Sequence, residues 1–277
     1  MEQNVTAERS PSTLATMGER RFGRVNWLGT ATLTRREIAR FLNVWTQTVL
    51  APIITAALFL GVFTVAFAAR RGEVDGLPFA HFLAPGIVMM AVIQNAFANT
   101  SSSLLVSKIQ RNIVDTLMPP LSAGELVFGY VTGGIARGLL VALAITVAVF
   151  PVLGLGIAHP LWALAFVLTG SASLALLGLI AATLAEKFDQ MALITNFVVT
   201  PLSFLSGTFY SITVLPAPLE LLSRFNPVFY LIDGFRYGVL GTSDADPRLG
   251  LAVSLAVVVA LWLLVWSWFR RGYKLKA

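Results

Sequence analysis

Two sets of amide and hydroxyl side chains recur at helical spacing inside apolar surroundings. Gln94, Asn95, Asn99 and Ser102 form one set, and Asn196, Thr200 and Ser203 the other. Residues three, four and seven apart share a helical face, so each set is a polar stripe on an otherwise apolar helix. In a bilayer such a stripe faces a water-filled path or hydrogen-bonds a neighbouring helix. Bonds of the second kind average only about 0.6 kcal/mol, and a path is the preferred reading. Neither stripe carries a carboxylate, so the usual ligands for proton or sodium coupling are missing. Bond-breaking chemistry is nearly absent. There is no cysteine, and the two histidines, His81 and His159, are far apart and read as interface residues rather than a metal pair. No G-x-x-x-x-G-K run occurs, so the chain cannot build a P-loop. These features predict neither an enzyme nor a cofactor or metal held by this chain.

Only one charged residue, Arg137, falls inside the long apolar runs. It is expected to snorkel to the interface or to pair with Asp115, Glu186 or Asp189. Gly129/Gly133 and Gly134/Gly138 flank it at small-xxx-small spacing, which lets helices approach closely. A second informative stretch is SKIQRNIVDTLMPPLSAGELVFG, from Ser107 to Gly129. The spacing predicts a short helix over 108–117 that exposes Lys108, Arg111 and Asp115, stopped by Pro119-Pro120. Ser122 then caps a new helix, with Glu125 completing a capping box. A short rigid helix ended by a double proline suits a docking surface, although an ordinary loop with a helical turn would share the pattern.

The elements that must position these residues follow from composition. Of 277 residues, 56% are hydrophobic and 12% charged, about half the charge of a soluble domain. The chain reads as an all-α membrane protein. Six apolar runs, at 48–69, 82–106, 129–153, 161–184, 191–210 and 249–269, are each close to the roughly 20 residues a crossing needs. Between the last two lies FLSGTFYSITVLPAPLELLSRFNPVFYLIDGFRYGVLG. Pro216, Pro218 and Pro227 and the charges Glu220, Arg224, Asp233 and Arg236 make it a poor crossing. It reads as two short re-entrant or external helices over 211–241, the second capped by Asn226 with Pro227 at its first position. Glu220/Arg224 and Asp233/Arg236 are spaced to pair on a helical face. Before the spans, 1–25 reads as a disordered cytoplasmic tail. Residues 27–45 read as an amphipathic interfacial helix, with Trp27, Ala31, Ile38, Leu42 and Trp45 on one face and Arg35, Arg36, Glu37 and Arg40 on the rest. Ala66-Phe67-Ala68 looks like a leader cleavage site, but the preceding run is too long for one, so the first span reads as an uncleaved anchor. With six spans, 14 Lys and Arg fall on one side and five on the other. That excess places both termini in the cytoplasm, and the net charge of +6 reflects orientation, not nucleic-acid binding.

The pieces RREIARFLNVWTQTVLAPIIT, FLAPGIVMMAVIQNAFAN, KIQRNIVDTLMPPLSAGELVFGYVTGGIARG and FLSGTFYSITVLP…NPVFYLIDGFRYGVLG together resemble the membrane permease of type-2 ABC transporters. The match runs from Trp27 across almost the whole chain and is closest to bacterial drug or polysaccharide exporters with a separate ATPase subunit. The resemblance implies one transmembrane domain over 26–277 in the bacterial inner membrane. It implies a homodimer working with two cytoplasmic ATPase subunits, which bind the ATP and Mg. It implies a coupling loop over 107–125, carrying Lys108, Gln110, Arg111, Asp115, Pro119 and Pro120, with Arg36 and Glu37 of the interfacial helix beside it. The path would form between protomers from spans two and five, where both stripes fall, and would carry an amphipathic, lipid-linked or drug-like substrate. A membrane scaffold without a transported substrate, or an ion-coupled secondary transporter, are the competing readings.

Overall fold

A computed structural model describes residues 25–68, 73–74 and 76–275. The tail expected before Val25, the loop arginines Arg70 and Arg71, and Lys276 lie outside the described residues. In chain order the helices are α1 (Trp27–Leu42), α2 (Ala51–Ala68), α3 (Phe79–Ile109), α4 (Ile113–Leu117), α5 (Ala123–Leu153), α6 (Pro160–Leu184), α7 (Phe188–Ile194), α8 (Thr200–Phe204), α9 (Ala217–Phe225), α10 (Pro227–Leu240) and α11 (Pro247–Arg271). A π-helical turn at Thr46–Leu50 leads into α2, and another at Thr195–Val199 joins α7 to α8. A two-residue strand pair, Glu73–Val74 with Leu77–Pro78, precedes α3.

Among the described residues five helices are long and apolar enough to cross a membrane: α2 with its π turn, α3, α5, α6 and α11. In lipid a helix satisfies its backbone groups internally, so long apolar runs take this form. α3 and α6 form the centre. Of their most apolar stretches 72% is buried, against 17% for α2 and α11. The core holds Leu83, Ile93, Phe166, Ile232 and Phe235, with a second cluster of Leu104, Tyr130, Leu176 and Phe269 nearer the α4 end.

The glycines of α5 serve two separate contacts. A Cβ on Gly129 or Gly133 would lie 2.6 Å from Leu33 or Glu37 of α1, whereas Gly134 and Gly138 face Ala175 and Ser171 of α6. Close approach to α5 explains a departure in α1. Its buried face is Thr30, Leu33, Glu37 and Phe41, not the charged exterior expected for Glu37. Gly133 leaves room for that side chain, and Arg36, Arg40 and Ser103 satisfy its carboxylate. Trp27, Leu28, Leu42 and Trp45 remain exposed on the other side.

Two further boundaries differ from expectation. α3 runs on through Ile109, and the chain turns at Arg111, whose φ is 58°, before α4 begins. Lys108 therefore belongs to α3. Its ammonium donates to the carbonyls of Ala182, Thr183 and Ala185 at 2.8–2.9 Å, capping the last turn of α6 with a cation. The helix expected over 191–210 is instead a seven-residue helix, a five-residue π turn and a five-residue helix, ending at Phe204. Beyond it Gly207 adopts φ 72°, a left-handed backbone that glycine takes without a side-chain clash.

α9 and α10 form a helical hairpin. The Asn226 side chain caps α10 through Val228 N–H and donates to Leu202 O at 2.8 Å, placing the turn beside α8. Both outer ends lie at the opposite end of the bundle from α4. Ser211 donates to Asp244, and the N–H groups of Ala158 and His159, in the α5–α6 loop, donate to Val239 and Gly238 carbonyls. At about 1.5 Å per residue the 14-residue α10 spans about 21 Å, short of a roughly 30 Å hydrocarbon core. α10 does not lie on the surface: Phe229, Ile232, Phe235 and Val239 are buried against its neighbours.

Candidate functional site

Two adjoining open-sided cavities of about 470 and 440 Å³ are bordered, the first by α2, α3, α5 and the α7–α8 run and the second by α3 and the α7–α8 run; both are within the usual size range for small-molecule sites. Gln94, Asn95 and Thr200 line both. Gln47, Thr55, Phe59, Met90, Arg137 and Phe204 join them in the first, and Ser101, Ser102, Phe188 and Thr195 in the second. Among the described residues neither lining contains a carboxylate. The surface suits a ligand with a large apolar part and a few hydrogen-bonding groups.

The stripes divide when placed in three dimensions. Gln94, Asn95, Ser102 and Thr200 meet at the cavities. Asn99 is fully buried one turn away and accepts from Arg40 Nη2 through its side-chain and backbone oxygens, at 3.0 and 2.6 Å. Asn196 is exposed and lines neither cavity. Ser203 donates to Val199 O and faces a separate apolar cavity of about 230 Å³ with Phe97, Leu174 and Val228. Arg137 meets none of the acids expected for it. Its Nη2 donates to Asn95 Oδ1 at 3.0 Å.

The first π turn borders the first cavity through Gln47 and the second borders the other cavity through Thr195 and Val199, and each turn ends two residues before a proline, Pro52 or Pro201. A proline removes an N–H and its ring crowds the carbonyl four residues back, and widening to a π turn relieves that crowding. Thr200 donates to Thr195 O through its backbone N–H and also, at 3.0 Å, through its Oγ1. Such turns often mark functional stretches of a helix. Sequence reasoning did not single out Pro52, Gln47 or Thr55. The repeated pattern of a polar residue, then proline, in two apolar runs was the available signal.

At the α4 end, Gln110, Arg111, Asp115, Pro119 and Pro120 are exposed, with Val114 and Met118 beside them, while Ile113 and Thr116 anchor the loop inward. Lys108 and Glu37 are buried and bond inside the bundle. Arg36 ties α1 to this loop by donating to Thr116 Oγ1 at 2.9 Å and reaching Tyr130 OH. Asn26 N–H donates to Glu125 at 2.6 Å. The capping box at Ser122 and Glu125 closes with bonds of 3.4 and 2.6 Å. A surface groove of about 330 Å³ runs between α1 and the loop, lined by Leu28, Thr32, Arg36, Asp115 and Pro119.

In the hairpin, Glu220 and Arg224 pair at 2.9 Å on a half-exposed face. Asp233 and Arg236 are buried. Asp233 accepts from the N–H groups of Asp244 and Ala245, and Arg236 donates to Gly207 O at 2.6 Å and lies over the Phe82 ring. They bind α10 to α3 and to both flanking loops. His81 bonds Leu153 O and His159 stacks on Tyr237. Among the described residues no cluster of three His, Cys, Asp or Glu could hold a metal.

Residues 29–240 match the family model for the ABC-2 type transporter. The chain is 38% identical over 252 residues to the inner membrane transport permease YadH of Escherichia coli (strain K12), covering 91% of this chain and 98% of that protein. It is 24% identical over 253 residues to nodulation protein J of Rhizobium leguminosarum bv. viciae, covering 90% and 95%. With nodulation protein J of Sinorhizobium fredii (strain NBRC 101917 / NGR234) the identity is 27% over 192 residues, or 69% and 72% of the two chains.

Proposed function

The chain belongs to the ABC-2 type transporter family, and on that premise we propose that it is the permease subunit of an ATP-driven exporter in a bacterial inner membrane. One transmembrane domain, 26–277, crosses six times, the fifth crossing in chain order being the α7–α8 run extended by the loop to Tyr210. α1 lies at the cytoplasmic interface, both termini are cytoplasmic, and the α9–α10 hairpin re-enters from the outer face. Two copies pair, and two cytoplasmic ATPase subunits dock on the loop over 107–125 through Gln110, Arg111, Asp115, Pro119 and Pro120. ATP and Mg are bound by those subunits, not by this chain. An amphipathic, lipid-linked or drug-like substrate passes by alternating access.

The observation that carries this reading is the pair of cavities between α3 and the proline-marked α7–α8 run, lined by Gln94, Asn95 and Thr200. The bonds joining α1 to the loop at Thr116 and Glu125 let both move as one body when the ATPases close. That displacement biases the bundle between two packings. The test is copurification of an ATPase subunit with the full chain, followed by Arg111→Glu. The variant is expected to stay folded and to lose transport while ATP hydrolysis continues. Coupled export at the wild-type rate refutes the docking assignment, and a chain that never associates with an ATPase favours a scaffold.

A further inference from the structure

Arg137 is the charged group the fold leaves least compensated. It lies 14 residues into the 31-residue α5, inside the apolar run of that helix. Within a membrane-spanning helix a guanidinium is costly and is normally paired with an acid. Among the described residues its one hydrogen bond goes to a neutral amide, Asn95 Oδ1. A guanidinium carries five N–H donors, and Nε, which is buried, has no partner among the described residues. The carboxylate of that layer, Glu37, is already engaged by Arg36 and Arg40. Asn95 is held in place because its Nδ2 donates to Ala91 O at 3.0 Å, which turns Oδ1 toward Arg137. Arg137 lines the 470 Å³ cavity, where Phe59, Ile87, Met90 and Phe204 supply an apolar wall.

The geometry points to a binding site for an anionic amphiphile, whose phosphate, sulfate or carboxylate head pairs with Arg137 while its apolar part lies along Phe59, Met90 and Phe204. This deepens the exporter reading and rests on it. A guanidinium already oriented by Asn95 offers a planar fork that matches such heads. The cavity holds no competing carboxylate among its described lining residues.

The test measures equilibrium binding of dodecyl phosphate to the full chain in neutral detergent, with dodecyltrimethylammonium as the control of equal chain length. Wild type is expected to bind the phosphate saturably and at least about tenfold more tightly than the ammonium. Arg137→Gln should weaken phosphate binding about tenfold or more, and Arg137→Lys only a few-fold, because the charge survives. Asn95→Asp places a carboxylate on the guanidinium and should abolish the preference without removing Arg137. It therefore keeps the claim testable if Arg137→Gln does not fold. Repeating the titration in lipid nanodiscs separates two sources of the head group. Competition by phosphatidylglycerol identifies bilayer lipid, and its absence identifies a separate exported amphiphile; both outcomes keep the anion site. Unchanged affinity in Arg137→Gln and Asn95→Asp, or equal binding of phosphate and ammonium by wild type, overturns it. Phosphate binding by a chain that no ATPase drives would refute the exporter reading alone.

Discussion

Glu37→Ala should loosen α1 from the bundle by an amount that can be worked out from its contacts. Glu37 is fully buried. It accepts from Ser103 Oγ at 2.8 Å, Arg36 Nη2 at 3.3 Å and Arg40 Nη2 at 3.3 Å. Removing one partner of a sealed ion pair costs about 3–5 kcal/mol, since the other charge is stranded. Here the arginine side chains are 46% and 35% exposed and can turn toward water. The electrostatic part is therefore smaller, and the net loss should be about 2–3 kcal/mol, with Ser103 contributing about 1 kcal/mol of it. At about 2–4 °C per kcal/mol for a domain of this size class, Tm should fall by several degrees. Glu37→Gln keeps an acceptor for Ser103 and should lose roughly half as much. The assay is thermal unfolding in detergent followed by tryptophan fluorescence. A Tm for Glu37→Ala within 1 °C of wild type, or equal losses for Ala and Gln, would refute the reasoning.

Lys108→Met leaves three carbonyls at the end of α6 without their donor and should destabilise by about 2–3 kcal/mol. Lys108→Arg, which can still donate there, should recover part of that loss in the same melt. Gly138→Val drives a side chain into Ser171 and should reduce folded yield sharply, whereas Gly154→Ala, at an open turn with φ 67°, should cost only about 1 kcal/mol. Equal yields for the two glycine variants on gel filtration would contradict the α5–α6 contact.

Much of this was legible from residues alone. Long apolar runs give helices whatever their neighbours, so α2, α3, α5, α6 and α11 could be read directly. So could local capping at Ser122, Asn226 and Pro227, because it depends on neighbours in sequence. The two glycine pairs of α5 announced close approach, though not that they serve different partners. What stayed hidden depends on tertiary contact. Glu37 looks like a solvated charge until Gly133 is placed opposite it. Lys108 looks like a loop cation until the end of α6 arrives beside it. Asn99 and Ser203 share the spacing of Asn95 and Thr200, but a helix face about 100° wide can border two environments. Arg40 and the apolar cavity beside Val228 draw those two residues away from the cleft. The shortened α8 was obscured because the apolar letters continue past Phe204 after the backbone has stopped being helical.

The central claim, that the cleft around Gln94 and Thr200 opens alternately to the two sides of the membrane under ATP, can be measured directly because the chain has no cysteine. A single cysteine placed by Gln94→Cys, in vesicles containing the chain with the ATPase subunit proposed for it, is labelled with a membrane-impermeant maleimide from either side. The account predicts rapid labelling from the cytoplasmic side without nucleotide, shifting to the outer side when ATP is trapped on the complex. Labelling from one side only, at a rate that nucleotide leaves unchanged, would contradict it.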